Sequence, residues 1–435
     1  MAKKEKMDAL VPVEEQPYPV PENWRWVRLG AVLTSSKERT DTFSDDSIKY
    51  VGLEHMEKDR GIISYGSVTE VKSTKNVFHP GQVLYGKLRP YLNKHDVASF
   101  SGVCSTDILV LNVLAESIPE YVNLYFDQKE FIEFAMANSK GINLPRVSEK
   151  EIMEACFPLA PLSEQRRIVD RIESLFAKLD EAKEKAQTVV DGFEDRKAAI
   201  LHKAFTGELT EKWRSKKGIT IDKWFKGTVK DVCKDIKVGI VIKPSQYYAE
   251  KEMGTPAFRS ANVREFHIDD FDWVYLNKEG MDLNKRSIVH TGDVLIVRSG
   301  NPGTACVVEE RFDGYNAIDI LIAVPDHNRI SSEYLCAFTN SPIGKRLVAE
   351  NKRGMALAHF NVSGYSQLQI AVPSIEEQNE IMKVIIPILQ KEEMIEEEAE
   401  KLLIGIDSMK KSILAKAFRG ELGTNDPAEP PVELF

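Results

Sequence analysis

At 435 residues, 43% hydrophobic and 29% charged, the chain has the composition of a soluble globular protein long enough for two or three domains. It has no uncharged apolar run of about 18 residues, and its first residues (Met1, Lys3, Lys4, Lys6, Asp8) lack an apolar stretch behind the lysines, so the expectation is a cytoplasmic protein without a membrane span or signal peptide. The net charge of -9 argues against a nucleic-acid binder unless the charge is unevenly spread. It is not: residues 21–162 hold 16 basic and 19 acidic groups, 163–206 hold 9 and 9, and 207–375 hold 23 and 21. Any DNA contact must come from local basic loops. Five cysteines, Cys104, Cys156, Cys233, Cys306 and Cys336, have neither paired spacing nor nearby histidine pairs, and read as small buried residues rather than disulfides or a zinc site.

In chain order, a tail over residues 1–20 precedes a mixed α/β segment over 21–162. Short β-branched and aromatic runs at 48–51, 83–85 and 108–111 are followed there by a helical stretch from Pro119 to Met136. A long helix is predicted over 163–206, opening at Pro161 and Ser163, with apolar residues at Ile168, Ile172, Leu175, Leu179, Ala182, Ala186, Val189 and Phe193 in steps of four and three. A second mixed segment over 207–375 has runs at 294–297 and 318–324 and a helical stretch from Ser332 to Asn351. A second long helix over 376–419 follows Ser374, whose Glu377 three residues on suggests a capping box, and a tail over 420–435 ends the chain. Each long helix stops at a glycine, Gly207 or Gly420. Pro387 should kink or break the second one.

The halves are copies. Leu201-His-Lys-Ala-Phe-Thr-Gly-Glu-Leu209 recurs as Leu414-Ala-Lys-Ala-Phe-Arg-Gly-Glu-Leu422 at an offset of 213. Ala160-Pro-Leu-Ser-Glu-Gln165 matches Val372-Pro-Ser-Ile-Glu-Glu-Gln378 within one residue, and Gly81-Gln-Val-Leu-Tyr85 parallels Gly292-Asp-Val-Leu-Ile296. A helix of about 44 residues is about 66 Å long with only a narrow apolar stripe, so it needs a partner helix. The expected fold class is therefore α+β: two mixed α/β domains in an internal repeat, separated by two long antiparallel coiled-coil helices.

Catalytic motifs are absent. There is no phosphate-binding Gly-x-x-x-x-Gly-Lys-Ser/Thr, no Gly-x-Gly-x-x-Gly, no Asn/Asp-Pro-Pro-aromatic string for gripping a flipped base, no nuclease pattern and no metal-ligand spacing among eight histidines. Basic loops with glycine, proline, aromatic or amide neighbours recur instead. The first half has Lys87, Arg89, Tyr91, Asn93 and Lys94 in one loop and Lys140, Asn143 and Arg146 in another; the second has Arg298 and Asn301, then Lys352, Arg353, His359 and Asn361. Arginine and lysine suit phosphate and the guanine edge, asparagine suits adenine, and glycine lets backbone amides approach a phosphate. These fourteen residues are the candidate DNA contacts; no catalytic or metal-ligating residue is assigned.

The arrangement resembles the specificity subunit of type I restriction-modification systems over nearly the whole chain. The resemblance rests on Pro21-Glu-Asn-Trp24, Tyr50-Val-Gly-Leu-Glu-His55, the stretch Gly81 to Lys94, Pro161-Leu-Ser-Glu-Gln165 and Ala204-Phe-Thr-Gly-Glu-Leu-Thr210, echoed at Ala417 to Leu422. It implies two target recognition domains, each reading half of a bipartite asymmetric DNA sequence. The long helices would act as spacers that dock two methyltransferase subunits and fix the half-site spacing. It further implies that this chain is not catalytic and carries no cofactor, with S-adenosylmethionine on adenine-methylating modification subunits and ATP and Mg on the restriction (endonuclease) subunits. A duplicated DNA-binding scaffold without methyltransferase partners, and an enzyme with an unrecognised site, are the alternatives.

Overall fold

The structure, a computed structural model, describes residues 9–42, 47–58, 60–68, 73–352 and 360–433. The chain divides into two compact units, one formed by 1–187 with 401–435 and the other by 188–400. Each unit therefore joins one globular segment to part of both long helices.

The first unit is built on a four-stranded antiparallel sheet in the order His95–Val97, Val83–Gly86, Ile108–Val113, Leu33–Ser35. A five-stranded sheet lies beside it in the order Arg39–Thr40, Lys75–Phe78, Gly102–Cys104, Lys49–Val51, Gly66–Ser67, with one parallel pair between Lys49–Val51 and Gly102–Cys104. The second unit repeats the plan with Cys233–Val238, Ile320–Pro325, Val294–Val297 and Ala305–Val307. It too has a further sheet with one parallel pair, Thr255–Phe258 against Asn316–Ala317. The central strands are continuous apolar runs because both faces of their sheet are covered, and alternate side chains enter different cores. Val83 and Tyr85 join Leu109 and Leu111 in one core, whereas Leu84 joins Ile108 and Val110 in another. Likewise Val294 and Ile296 face one core, and Leu295 and Val297 the other.

The repeat extends to individual hydrogen bonds. Where the first long helix starts, Gln165 donates to the Ala160 carbonyl (2.8 Å) and accepts from the Ser117 hydroxyl (2.8 Å); Gln378 donates to the Pro373 carbonyl (2.9 Å) and accepts from the Ser331 amide (2.8 Å). Both glutamines are buried. Tyr121 donates to the Pro158 carbonyl and Tyr334 to the Ala371 carbonyl. The end of each long helix brings a phenylalanine onto that tyrosine, Phe418 at 4.9 Å from Tyr121 and Phe205 at 5.1 Å from Tyr334 between ring centroids. Glu164 and Glu377, also buried, accept the indole N–H of Trp24 and Trp224 at 3.0 Å each. The capping box at Ser374 is thus half formed: Ser374 accepts from the Glu377 amide at 3.3 Å, but the Glu377 carboxylate turns inward to Trp224, Thr210 and Arg214.

The first long helix runs Leu162–Asp191, is interrupted at Gly192 and resumes as Phe193–Phe205; the second runs Ile375–Phe418 without a break, Pro387 included. The interruption expected in the second helix falls in the first. Pro387 is exposed, so the Lys383 carbonyl that loses its intrahelical partner faces water and the helix continues. Within each unit the helices pair through ions as well as apolar contacts, Asp180 with Lys410 at 2.6 Å in one and Arg196 with Glu392 at 2.7 Å in the other. Ser163 lies inside the first helix rather than capping it. The helical stretches after the central strands are each two helices, Pro119–Tyr125 with Lys129–Ala137 and Ser332–Asn340 with Pro342–Lys352.

Residues 422–433 pack on the first unit. The Val432 amide donates to the Asn23 carbonyl, Asn23 donates to Asn425 and to the Asp426 carbonyl, and Arg167 makes a two-pronged ion pair with Glu429 at 2.8 Å. Thr424 donates to Glu164, as Thr210 does to Glu377 in the other copy.

Candidate nucleic-acid interface

In each copy the loop leaving the central strand and the loop after the paired helices come together at one end of the sheet. The Val147 amide donates to the Lys87 carbonyl at 3.1 Å, and in the second copy the Phe360 amide donates to the Arg298 carbonyl at 3.2 Å, both partners displaced along the chain by the repeat. Two loops that are more than fifty residues apart in sequence thus form one surface.

In the first copy the strand Val83–Gly86 ends at Lys87, whose amide donates to the Asp107 carbonyl. The chain then turns tightly through Arg89 (φ 52°), a short 3-10 turn Pro90–Leu92, and Asn93 (φ 42°). Asparagine tolerates this left-handed conformation, but arginine adopts it rarely, and the Arg89 amide is fixed by the Pro145 carbonyl at 2.7 Å. The second loop is a short ribbon. Lys140 and Arg146 exchange backbone hydrogen bonds of 2.8 and 2.9 Å, with Gly141 at φ 106° supplying the turn that a side chain would strain.

The predicted side chains divide into outward and inward groups. Arg89, Tyr91, Lys140, Asn143 and Arg146 are exposed, and Lys87 is partly so. Arg146 reaches both carboxylate oxygens of Asp107 at 3.1 and 3.2 Å, and Lys140 lies 3.2 Å from Glu151. Hydrogen bonds from the Ser148 backbone and hydroxyl, then Lys140, lower the Glu151 carboxyl to about 2. Asn93 and Lys94 point inward. Asn93 is buried and donates to Asp127 at 2.9 Å, while Lys94 donates to the Leu53 carbonyl at 2.7 Å. Beside Asn93, His95 is held between Asn123 (2.8 Å) and Asp127 (3.0 Å); burial alone would lower its pKa, but Asp127 and Asn123 more than offset this and raise it.

In the second copy Arg298 is largely buried. Its guanidinium donates to the Phe360 carbonyl at 3.0 Å and to Asp319 at 2.8 Å, tying the two loops together by side chain as well as backbone. Asn301 is exposed in the turn between Gly300 (φ 83°) and Gly303 (φ 92°). Asn361 caps the helix Val362–Ser366, accepting from the Gly364 amide at 2.8 Å. Lys352 ends the helix Pro342–Lys352, and Arg353 and His359 lie outside the described residues.

Two aspartates without a motif of their own in the sequence organise both surfaces. Asp107 and Asp319 stand directly before the strands Ile108–Val113 and Ile320–Pro325, and each accepts a loop arginine, Arg146 in one copy and Arg298 in the other. Their signal was the repeat itself, which sets an aspartate before an apolar run in both halves.

The chain is thus a duplicated α+β protein in which each copy closes the loop leaving its central strand by a backbone hydrogen bond, Val147 to Lys87 and Phe360 to Arg298. A family model for the type I restriction modification DNA specificity domain matches residues 221–403. The chain is 31% identical over 199 residues to the type I restriction enzyme EcoDI specificity subunit of Escherichia coli, covering 45% of this chain and 44% of that one. It is 25% identical over 308 residues to the EcoBI specificity subunit of Escherichia coli, covering 68% and 64%. The matches thus span about half to two thirds of those relatives' lengths. The HsdS subunit from Thermoanaerobacter tengcongensis shares the fold, with a TM-score of 0.68 at 22% identity over 94% of this chain and 100% of that one. Residues 221–403 thus match the type I restriction modification DNA specificity domain, and the chain is similar in sequence to type I specificity subunits and shares the fold of an HsdS subunit.

Proposed function

We propose that this chain is the sequence-reading, non-catalytic subunit of a DNA-modifying and DNA-cleaving complex, and that each repeat reads one half of a bipartite, asymmetric double-stranded target. The observation that carries the reading is the duplicated loop pair. Two surfaces with the same backbone closure (Val147 to Lys87, Phe360 to Arg298), the first presenting Arg89, Lys140, Asn143 and Arg146 and the second Asn301, suit two independent docking events on one duplex. In this reading the recognition domains are residues 21–162 and 207–375. Direct contacts come from Lys87, Arg89, Tyr91, Lys140, Asn143, Arg146 and Asn301, and from Lys352, Arg353 and His359. Asn93, Lys94, Arg298 and Asn361 shape the loops that carry them.

The helices over 162–205 and 375–418 act as the spacer and as the seat of two methyltransferase subunits. Exposed Met394, Ile404 and Leu402 on the second helix support this, since apolar side chains there have water as their neighbour until a partner covers them. Adenine methylation with S-adenosylmethionine and ATP- and Mg-dependent cleavage belong to the modification and restriction subunits. The complex works in the cytoplasm; no helix among the described residues is long and apolar enough to cross a membrane.

The test is a pair of loop variants in the complex assembled with its methyltransferase. Lys87→Ala with Arg89→Ala should relax or weaken reading of one half-site only, and Asn301→Ala of the other only, each base contact costing about 1–3 kcal/mol. Variants that leave methylation of both half-sites unchanged would overturn the assignment of these loops.

A further inference from the structure

The ribbon closed by Lys140 and Arg146 carries a fully exposed apolar side chain at its tip. Ile142 is 100% exposed, Asn143 beside it is exposed, and Leu144 is 47% exposed. A lone exposed apolar residue is ordinary, but this one crowns a rigid loop. The ribbon is fixed at its base by the Lys140–Arg146 backbone pair, by the Arg89 amide on the Pro145 carbonyl, and by the Val147 amide on the Lys87 carbonyl. Around it stand Lys87, Arg89, Lys140 and Arg146, with Asp107 and Glu151 as the acids paired to Arg146 and Lys140. The occupant must therefore be anionic overall yet offer an apolar feature to the tip.

Duplex DNA meets both demands in its major groove, which is wide enough for a two-stranded ribbon and displays one apolar group, the thymine 5-methyl. The opposite base of the same pair presents the adenine N6 and N7 edge that asparagine matches. We propose that the tip of the 140–146 ribbon enters the major groove and reads an A·T pair, Ile142 against the thymine methyl and Asn143 toward adenine. The cations at the base of the ribbon hold the flanking phosphates. This rests on the DNA-reading role proposed above and makes Ile142 a specificity determinant of one half-site.

The experiment uses the complex of this chain with its methyltransferase and duplexes carrying the methylated site, with each thymine in turn replaced by uracil, which deletes only the 5-methyl. For the wild type, one such replacement in the half-site weakened by the Lys87 and Arg89 variant should lower kcat/KM for methylation about fourfold, the effect of exposing one methyl-sized group. Ile142→Ala should lose about as much on the thymine duplex and be indifferent to the uracil replacement, while keeping the wild-type response to changes in the other half-site. Asn143→Ala should lose discrimination at the adenine of the same pair. The proposal is overturned if no uracil replacement in that half-site matters, if Ile142→Ala keeps its sensitivity to the methyl, or if the half-site has no A·T pair. A complex that methylates no bipartite site at all would instead overturn the DNA-reading role on which this rests.

Discussion

Glu164 and Gln165 are neighbours with different work, and the same holds for Glu377 and Gln378. The glutamines stitch the start of each long helix to the preceding loop, and every bond they make is lost on truncation while the buried partners stay. Gln165→Ala should leave the Ala160 and Glu116 carbonyls and the Ser117 hydroxyl unpaired. A loss of about 2–4 kcal/mol is expected from chemical denaturation, with Gln378→Ala acting alike in the second unit. Glu429 supplies a pH test. Its hydrogen bonds from Arg167 and Ser163 lower its carboxyl from an ordinary 4.5 to about 2. A depressed carboxyl contributes stability above 4.5 and loses it as pH falls toward 2. Hydrogen-exchange protection over 424–433, taken relative to the intrinsic exchange rate at each pH, should therefore fall between pH 5 and pH 2.5, whereas Arg167→Ala should show low protection there already at pH 7. Unchanged protection across that range in the wild type would mean that the ion pair does not fasten this segment. At this scale the sequence was least legible. Lys94 and Arg298 look like loop cations, and only packing against Leu53, Phe360 and Asp319 turns them inward.

Among the elements, the long helices and central strands were legible because their periods are unambiguous. Ile381 and Ile385 are buried where the seam places them, and 294–297 is a strand as its β-branched run implies. What misled was Pro387. A proline removes one helix hydrogen bond and crowds the carbonyl four residues back, a local cost that an exposed face can absorb, and sequence alone does not tell which face it occupies. Its exposure makes Pro387→Ala a clean test: restoring the bond to the Lys383 carbonyl should stabilise the second unit by about 1–3 kcal/mol, read as a higher denaturation midpoint. A destabilised variant would show that the proline shapes this helix to fit something. The interruption at Gly192 was equally hidden, because one glycine between Asp191 and Phe193 is compatible with an unbroken helix.

At the scale of the whole molecule, duplication was the most informative feature of the sequence, since it set the order of segments and the two loop surfaces before any contact was known. Which parts of the long helices join which globular segment was not legible, as it depends on long-range closure such as Phe418 on Tyr121. With a net charge of -9 the isolated chain should bind its target poorly. Affinity should rise when methyltransferase subunits are added and then fall with salt as phosphate contacts release counterions. Full specific affinity of the chain alone at physiological salt would contradict that division of labour. If the helices set the spacing, inserting four residues near Lys185 and four near Glu398 should lengthen the span by about 6 Å and add a net twist of about 40°, so that methylated half-sites stand about one base pair further apart. Separate reading of DNA by the two copies is the property from which the other expectations follow. It is tested most directly by mapping methylated sites in cells that express the complex, once with the wild-type chain and once with Lys87→Ala and Arg89→Ala together. The wild type should give a bipartite asymmetric target, and the variant a target relaxed in one half with the other half and the spacing unchanged. A single continuous target, or relaxation of both halves at once, would contradict it.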